Sequence, residues 1–282
     1  MREKLGNRRV TGAEQYYTPN LLALSLVELT LGKIQNWQSK IFIEPAGGTG
    51  SFIEALKTKG ISSIISVDTE PLHAEVQKAN FLEFDPGVKD AVTISNPPFG
   101  RNNALSVPFF NRAANFSSHI AFLVPRSWRK WSVINRLDRR FHLIHDVDVS
   151  VIYQSAKGED IALRNELRTC FQIWERRDSH RKKITIPDPG LLIRSNPEEA
   201  DVAIRVFGYG CGTVYREFER KPNTTMMYLR TANPDVVALL EGLDYERFAQ
   251  KTAYTEAVSL QEINFLLNEK LFGDGFRPEA TA

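Results

Sequence analysis

Cysteine is scarce in this 282-residue sequence, which contains only Cys170 and Cys211. The two lie far apart and form no CxxC pair, which argues against a disulfide framework and against a structural zinc site. Long apolar runs are also missing, since none approaches the roughly 18 residues that a membrane span requires. Residues 1–7 lack the apolar core of a secretory leader. We therefore expect a cytoplasmic protein with neither a metal nor a membrane partner.

Net charge is small as well, at +2, but it is unevenly distributed. Residues 1–100 carry 10 basic and 11 acidic side chains, residues 184–282 carry 10 and 15, and residues 101–183 carry 16 and 8. A basic middle third between neutral and acidic flanks suggests a polyanion partner that binds one face. A solvated helix face would produce the same count, so the charge needs support from motifs.

Hydrophobic periodicity predicts alternating strands and helices over the first 180 residues. Buried strands are predicted at residues 40–43, 63–67, 91–94 and 119–124, and helices at residues 21–33 and 52–58. Residues 149–153 and 169–174 are predicted to pair as antiparallel strands. Helical crossovers imply parallel strands, so the pattern favours an α/β fold whose mostly parallel sheet ends in an antiparallel hairpin.

A domain boundary is predicted where the basic run at residues 176–183 meets Pro187-Asp188-Pro189-Gly190. This gives a domain of residues 1–183 and a small α+β accessory region of residues 184–282. In the latter we predict strands at residues 202–207, 213–218 and 224–230 and a helix from Pro234 to about Lys251. A capping box, Ser259 with Glu262, predicts a final helix that ends at Gly273.

A glycine-rich turn lies between the first predicted strand and the next helix, with the sequence Glu44-Pro45-Ala46-Gly47-Gly48-Thr49-Gly50-Ser51-Phe52. Open parallel sheets bind nucleotide-like ligands at this position, because glycines let the backbone approach the ligand closely. Asp68 ends the following strand, where an acidic side chain can accept hydrogen bonds from ribose hydroxyls. A plain structural turn or an NAD site remains open as an alternative.

The segment Asn96-Pro97-Pro98-Phe99 also follows a predicted strand. Two prolines stiffen the backbone and lack N–H groups, so acceptors dominate the site, namely the Asn96 amide oxygen and the Pro97 carbonyl. The Phe99 ring can stack on a planar base. Acceptors beside a ring suit an exocyclic amino group on a heterocycle.

Together these motifs resemble the S-adenosylmethionine-dependent amino-methyltransferases, particularly the N6-adenine DNA methyltransferases. Tyr16-Tyr17-Thr18-Pro19 precedes the glycine-rich loop, which is the motif order of the gamma class. The resemblance covers about residues 10–180 and implies the class I methyltransferase fold, a Rossmann-like, mostly parallel seven-stranded sheet. It implies S-adenosyl-L-methionine as cofactor, held by Tyr17, Thr18, Glu44, Pro45, Ala46, Gly48, Gly50, Phe52, Asp68, Asn80 and Phe81. It implies a catalytic segment formed by Asn96, Pro97, Pro98 and Phe99.

The implied reaction is methyl transfer to the N6 amino group of adenine by direct in-line displacement, after the base has been flipped out of its stack. We predict that the substrate is bound by Arg101, Arg126, Arg129 and Lys130, with Trp128 and Trp131 either stacking on it or packing in the core. DNA is the first candidate substrate and RNA the second. A protein glutamine amide is a third candidate, because its amino group suits the same acceptors.

Overall fold

The computed structural model describes residues 16–161 and 167–276. The expectation that residues 1–7 lack a secretory leader concerns residues outside these ranges. The chain divides into two compact units, Met1–Lys182 and Lys183–Ala282, called the first and second unit below. Within the described residues, every helix is too short or too polar to cross a membrane.

The first unit contains seven strands and four α-helices among its described residues. The strands are β1 (Phe42–Glu44), β2 (Ile64–Asp68), β3 (Gln77–Lys78), β4 (Ala91–Ser95), β5 (Ser117–Pro125), β6 (Phe141–Val149) and β7 (Thr169–Arg176). The helices are α1 (Asn20–Leu31), α2 (Ser51–Thr58), α3 (Ser106–Ala113) and α4 (Trp131–Ile134). Short 3₁₀ turns occupy Trp37–Ser39, Arg101–Asn103 and Arg126–Arg129.

These strands form one sheet in the order β3-β2-β1-β4-β5-β7-β6, in which β7 runs antiparallel to both neighbours and the other pairings are parallel. The predicted fold class is thereby confirmed: a mostly parallel seven-stranded sheet with an antiparallel final hairpin. Because β1, β2 and β4 are parallel, the loops that follow them meet at one edge of the sheet. Those loops carry the predicted motifs.

Helices cover both faces of the sheet, so the central strands are mostly apolar, although β4 also buries Thr93 and Ser95. In β5, Ile120 and Phe122 pack with Phe110 of α3, and Ala121 and Leu123 pack on the opposite face with α1 and α2. A strand buried on both faces needs no polar alternation, and this explains the continuous apolar run at this point of the sequence.

The final hairpin differs from the prediction in its first strand. The partner of β7 is β6, which ends at Val149, and not residues 149–153. Residues beyond Val149 leave the sheet, and Gln154 forms an antiparallel bridge with Tyr17 instead. Residues 150–153 therefore lie outside the sheet, and the pairing with the N-terminal segment is made by Gln154.

The second unit contains a four-stranded antiparallel sheet in the order β10-β9-β11-β8. Its elements are β8 (Leu192–Arg194), β9 (Val202–Arg205), β10 (Val214–Tyr215), β11 (Met226–Thr231), α5 (Asp235–Glu241), α6 (Glu246–Ala249) and α7 (Leu260–Phe272). Strand β8 was not predicted, and the single helix expected up to Lys251 is broken after Gly242 into α5 and α6. The Ser259–Glu262 capping box does begin α7, and Gly273 ends it in the left-handed conformation.

Candidate active site

The glycine-rich loop of residues 44–52 joins β1 to α2 at the carboxyl edge of the sheet. Gly48 has φ +44°, and a Cβ there would lie 2.6 Å from the Tyr17 ring. A Cβ on Gly47 would collide with Ser66 Oγ. The glycines are thus needed for close packing around the loop. The space above Gly48, which the sequence analysis assigned to a ligand, is taken at least in part by Tyr17.

Gly50 and Phe52 shape the start of α2. Gly50 has φ +83°, and a Cβ there would lie 2.5 Å from the His73 ring. Phe52 is 4% exposed and packs in the core beneath α1. Both residues therefore fix the conformation of the loop.

Asp68, at the end of β2, supports the same loop. Its Oδ2 accepts a hydrogen bond from the Gly48 N–H at 2.9 Å, and its Oδ1 accepts one from the Glu70 N–H at 2.9 Å. Each carboxylate oxygen has a second lone pair, so Asp68 can hold the loop and accept from a ligand hydroxyl as well.

Glu44, at the end of β1, is 1% exposed. Its Oε1 accepts from the Ala46 N–H at 3.0 Å and from Ser95 Oγ at 2.5 Å, so it links the ends of β1 and β4. Its Oε2 is buried and has no hydrogen-bond partner among the described residues. Burial raises the pKa of Glu44 to about 8, against the effect of these two donors.

Asn96 follows β4 and is oriented by the N-terminal segment. Its Nδ2 donates to the Tyr16 carbonyl oxygen at 2.9 Å. A carbonyl only accepts, so the amide nitrogen must face Tyr16 and the amide oxygen must face away. Asn96 Oδ1 is buried and has no partner among the described residues. The segment of residues 96–99 therefore presents one acceptor without a partner among the described residues.

A cavity of about 490 Å³ lies at this edge of the sheet, with Asn96 in its wall. Its volume falls within the range of small-molecule sites, about 300–1,000 Å³. It brings together ten of the predicted residues: Tyr17, Pro45, Ala46, Asp68, Asn80, Phe81, Asn96, Pro97, Pro98 and Phe99. Seven further residues line the cavity and were not predicted to bind a ligand, although Tyr16 belongs to the predicted N-terminal motif: Tyr16, Thr69, Glu70, Ala79, Leu82, Leu105 and Phe109.

A second, smaller cavity of about 30 Å³ lies between the N-terminal segment and the start of α2. Thr18 and Phe52 are among its lining residues, as is Asn96, which also lines the larger cavity. Thr18 is 5% exposed, and its Oγ1 has no partner among the described residues. A buried hydroxyl without a partner is costly, so this cavity suits a polar ligand group.

The N-terminal segment of residues 16–19 is held in place by residues 153 and 154. The Tyr17 N–H donates to the Gln154 carbonyl at 3.1 Å, and the Gln154 N–H donates back at 2.9 Å. The rings of Tyr16 and Tyr153 lie 5.5 Å apart. These paired backbone hydrogen bonds between Tyr17 and Gln154, called the clasp below, place the Tyr17 ring over Gly48 and the Tyr16 carbonyl against Asn96.

Two of the predicted substrate-binding arginines form ion pairs within the chain. Arg129 makes a bidentate contact with Asp146, through Nε at 3.0 Å and Nη2 at 2.5 Å, and its Nη1 lies 2.6 Å from Asp148. Arg126 Nη2 lies 2.9 Å from Asp148. Asp146 and Asp148, two residues apart on β6, thus offset the charge of both arginines in this structure.

The neighbouring predicted residues have different environments. Trp128 is fully buried and donates to Ser106 Oγ at 3.2 Å, so it belongs to the core. Lys130 is half-buried at the start of α4. Arg101 is exposed and begins the 3₁₀ turn directly after the catalytic segment. Arg101 is thus the best placed of the four cations to meet a substrate.

One group of side chains among the described residues has spacing that could hold a metal ion: Glu54, His73 and Glu75, whose ligand atoms lie within 4.8 Å of one another. The Lys57 ammonium pairs with both Glu54 and Glu75. A lysine cation already balances these carboxylates, so the group carries no assignment as a metal site.

No protein-family model matches the sequence, and no curated protein sequence matches it. Solved structures match it at low identity. A protein assigned as an RNA methyltransferase in Pyrococcus horikoshii is 17% identical, with a TM-score of 0.48, over 62% of this chain and 93% of its own. The modification subunit of a protein assigned as a type I restriction enzyme in Vibrio vulnificus is 18% identical, with a TM-score of 0.39, over 60% and 46%. The 23S rRNA methyltransferase ErmE is 12% identical, with a TM-score of 0.38, over 58% and 71%.

Proposed function

We propose that the first unit is an S-adenosylmethionine-dependent methyltransferase that methylates the N6 amino group of adenine in nucleic acid, with DNA as the first candidate. One observation carries the proposal: Asn96 Oδ1 is a buried acceptor without a partner in the wall of the large cavity. An unmatched buried acceptor is unfavourable, so it points to a donor that arrives with the ligand.

The residues present fit the cofactor. Its ribose hydroxyls would meet Asp68, and its adenine would lie near Asn80 and Phe81, all of which line the large cavity. Its amino-acid end carries an ammonium group and a carboxylate. The unpartnered Thr18 Oγ1, in the wall of the smaller cavity, offers a hydroxyl for such groups, whereas the buried Glu44 lines neither cavity. When bound, S-adenosylmethionine supplies an electrophilic methyl group on a positively charged sulfur.

The chain's own residues would act on the target amine by positioning it. The N6 lone pair is delocalised into the adenine ring, which makes the nitrogen a poor nucleophile. Asn96 Oδ1 and the Pro97 carbonyl can accept the two N6 hydrogens, which favours a tetrahedral nitrogen and localises its lone pair. Phe99, which lines the cavity, can stack on the flipped base. The transfer would then be an in-line displacement that depends on orientation and electrostatics.

Substrate choice rests on chemistry at the entrance to this cavity. Arg101 follows the catalytic segment and is exposed, so it can contact a phosphate near the target base. We keep RNA adenine as the second candidate, because the same acceptors serve it. A protein glutamine amide is the third, and the basic middle third of the chain disfavours it. The proposal implies a cytoplasmic enzyme, in which residues 184–282 serve as an accessory region that could recognise the target.

The test is incubation with labelled cofactor and, in parallel, duplex DNA, RNA and protein, followed by nucleoside and peptide analysis. We expect label in N6-methyladenine from DNA. Asn96→Ala should lower the rate of labelling by roughly 100-fold, and Asn115→Ala, at an exposed asparagine outside both cavities, should leave it unchanged. Label in RNA or in glutamine would move the assignment to the second or third candidate. Absence of label from all three would refute the proposal.

A further inference from the structure

A second hollow in the first unit, of about 430 Å³, lies apart from the proposed active site. It is bordered by the turn between α4 and β6, by the end of α3 and by the segment after β7. We call it the arginine hollow, and it is lined by Asn111, Arg136, Asp138, Arg139, Arg140 and His180, among others. None of the predicted site residues lines it.

Basic side chains outnumber acidic ones in the arginine hollow. Asp138 is its one carboxylate, and it is already bound by Arg140, with Nη2 at 2.6 Å from Oδ2 and Nε at 3.0 Å from Oδ1. Among the described residues, no carboxylate lies within ion-pair distance of Arg136, Arg139 or His180. The hollow therefore keeps a net positive charge that no carboxylate of residues 16–161 and 167–276 balances.

The arginines also retain hydrogen-bond donors. Arg139 donates through Nε to the Arg181 carbonyl at 2.7 Å, and Arg136 donates through Nη1 to the Asn102 carbonyl at 3.2 Å. A guanidinium group has five N–H donors, so both groups have donors left for a ligand. These contacts also hold each guanidinium in one orientation, which reduces the entropy lost on binding.

The turn beneath the hollow is fixed by side-chain contacts. Asn111 donates through Nδ2 to the Arg136 carbonyl at 3.0 Å and accepts from the Asp138 N–H at 2.8 Å. Arg181 donates to the Leu137 carbonyl at 3.3 Å. Burial, and then the nearby Arg139, lower the pKa of Arg181. Like charges thus lie close together at this rim, an arrangement that a bound anion would relieve.

Arg136 connects the arginine hollow with the proposed active site. The carbonyls that it binds belong to Asn102 and Asn103, with φ values of +56° and +61°. Gly100 and Arg101 separate these residues from the proposed catalytic segment of residues 96–99. Arg136 thus both lines the hollow and contacts the turn of residues 101–103.

We propose that the arginine hollow binds a phosphodiester group of the nucleic-acid substrate, away from the target base. The proposal rests on the proposed function for its substrate, and it assigns sequence-independent affinity to Arg136, Arg139 and His180. Phosphate contacts position a nucleic acid and add affinity by releasing counterions, which makes the affinity depend on salt. Inorganic phosphate could accept the same hydrogen bonds as a phosphodiester group, so the experiment distinguishes binding of inorganic phosphate from binding of nucleic acid.

The test measures binding of a fluorescent duplex and of an RNA hairpin between about 50 and 200 mM salt. We expect Arg139→Gln to weaken both by about three- to tenfold and to reduce the slope of log K against log salt by about one. Arg139→Lys should keep most of the parental salt slope because it keeps the positive charge. Lys33→Gln, the same charge change at an exposed lysine after α1, should change neither quantity.

Methyl transfer supplies an independent readout. Arg139→Gln should raise KM for nucleic acid and leave kcat and cofactor affinity at the parental values, since Arg139 lines neither proposed ligand cavity. The proposal would be overturned if the salt slopes of Arg139→Gln and Lys33→Gln coincided. It would also be overturned if Arg139→Gln weakened the binding of inorganic phosphate but not the binding of duplex. If the parent binds nucleic acid with the expected slope but methylates none, the proposed function fails and the hollow stands.

Discussion

Glu44 should make the stability of the first unit fall as the pH rises, and Glu44→Gln should remove this dependence. The carboxyl group is 1% exposed, and burial raises its pKa to about 8. In the unfolded chain the group ionises near its ordinary pKa of 4.5. Between these two values the folded state holds a proton that the unfolded state has released. The stabilisation is therefore fully present below pH 4.5 and is lost as the pH rises to about 8.

The size of the effect follows from the same interval. Each pH unit over which one extra proton is bound corresponds to about 1.4 kcal/mol. Between pH 5 and pH 9 the free energy of unfolding of the parent should therefore fall by roughly 4 kcal/mol relative to Glu44→Gln. Above pH 8 the two curves should run parallel. A glutamine keeps an acceptor for Ala46 and Ser95, so the variant should fold.

Urea denaturation at pH 5, 7 and 9 would measure this difference. All four tryptophans lie within residues 37–174, so their fluorescence reports unfolding of the first unit alone. Glu83→Gln, at an exposed glutamate, controls for the loss of a carboxylate and should track the parent at every pH. The reasoning is refuted if Glu44→Gln and the parent differ by the same amount at pH 5 and pH 9.

Three further predictions concern ligand binding and turnover. Asn96→Ala should lower turnover by roughly 100-fold and leave cofactor affinity, measured by calorimetry, unchanged, because we propose its unpartnered oxygen as an acceptor for the target amine; near-parental turnover would contradict that role. Asp68→Ala should weaken cofactor binding by about 1–3 kcal/mol, because it leaves polar partners unmatched, the Gly48 N–H included; unchanged affinity would place the ribose elsewhere. Gly48→Ala should lower the melting temperature and cofactor affinity more than Gly60→Ala, since Gly60 also has positive φ but no atom within 4 Å of its Cβ position. Equal losses would mean that the contact with Tyr17 is immaterial.

The site residues that could be predicted from the sequence are those that lie at or directly after the ends of β1, β2 and β4. Buried apolar runs give the positions at which β1, β2 and β4 end, and parallel order places their carboxyl ends at one edge. Asp68 and Asn96 could therefore be placed beside the glycine-rich loop from local pattern alone. The reason for a glycine at position 48 could not be predicted from local pattern. A side chain there would collide with the Tyr17 ring, which lies 31 positions earlier in the sequence.

The orientation of Asn96 could not have been predicted in this way. It depends on the main-chain carbonyl of Tyr16, which lies 80 positions earlier, and a carbonyl is present at every residue. The clasp between Tyr17 and Gln154 that positions it is likewise made by backbone groups. The motifs predicted that the N-terminal segment contacts a cofactor, and the structure adds that its Tyr16 carbonyl orients the Asn96 amide.

The charge count shows most clearly where composition misleads. The basic third of the chain indicated a nucleic-acid surface around Arg129, yet Arg129 is bound by Asp146 and Asp148, which are within the same third. Other arginines of this third, such as Arg176 and Arg181, donate to backbone carbonyls and support the fold. What matters for a polyanion is the set of cations left with unused donors and no carboxylate. By that measure the basic region moves away from residues 126–131, toward the arginine hollow and the exposed residue beside the catalytic segment.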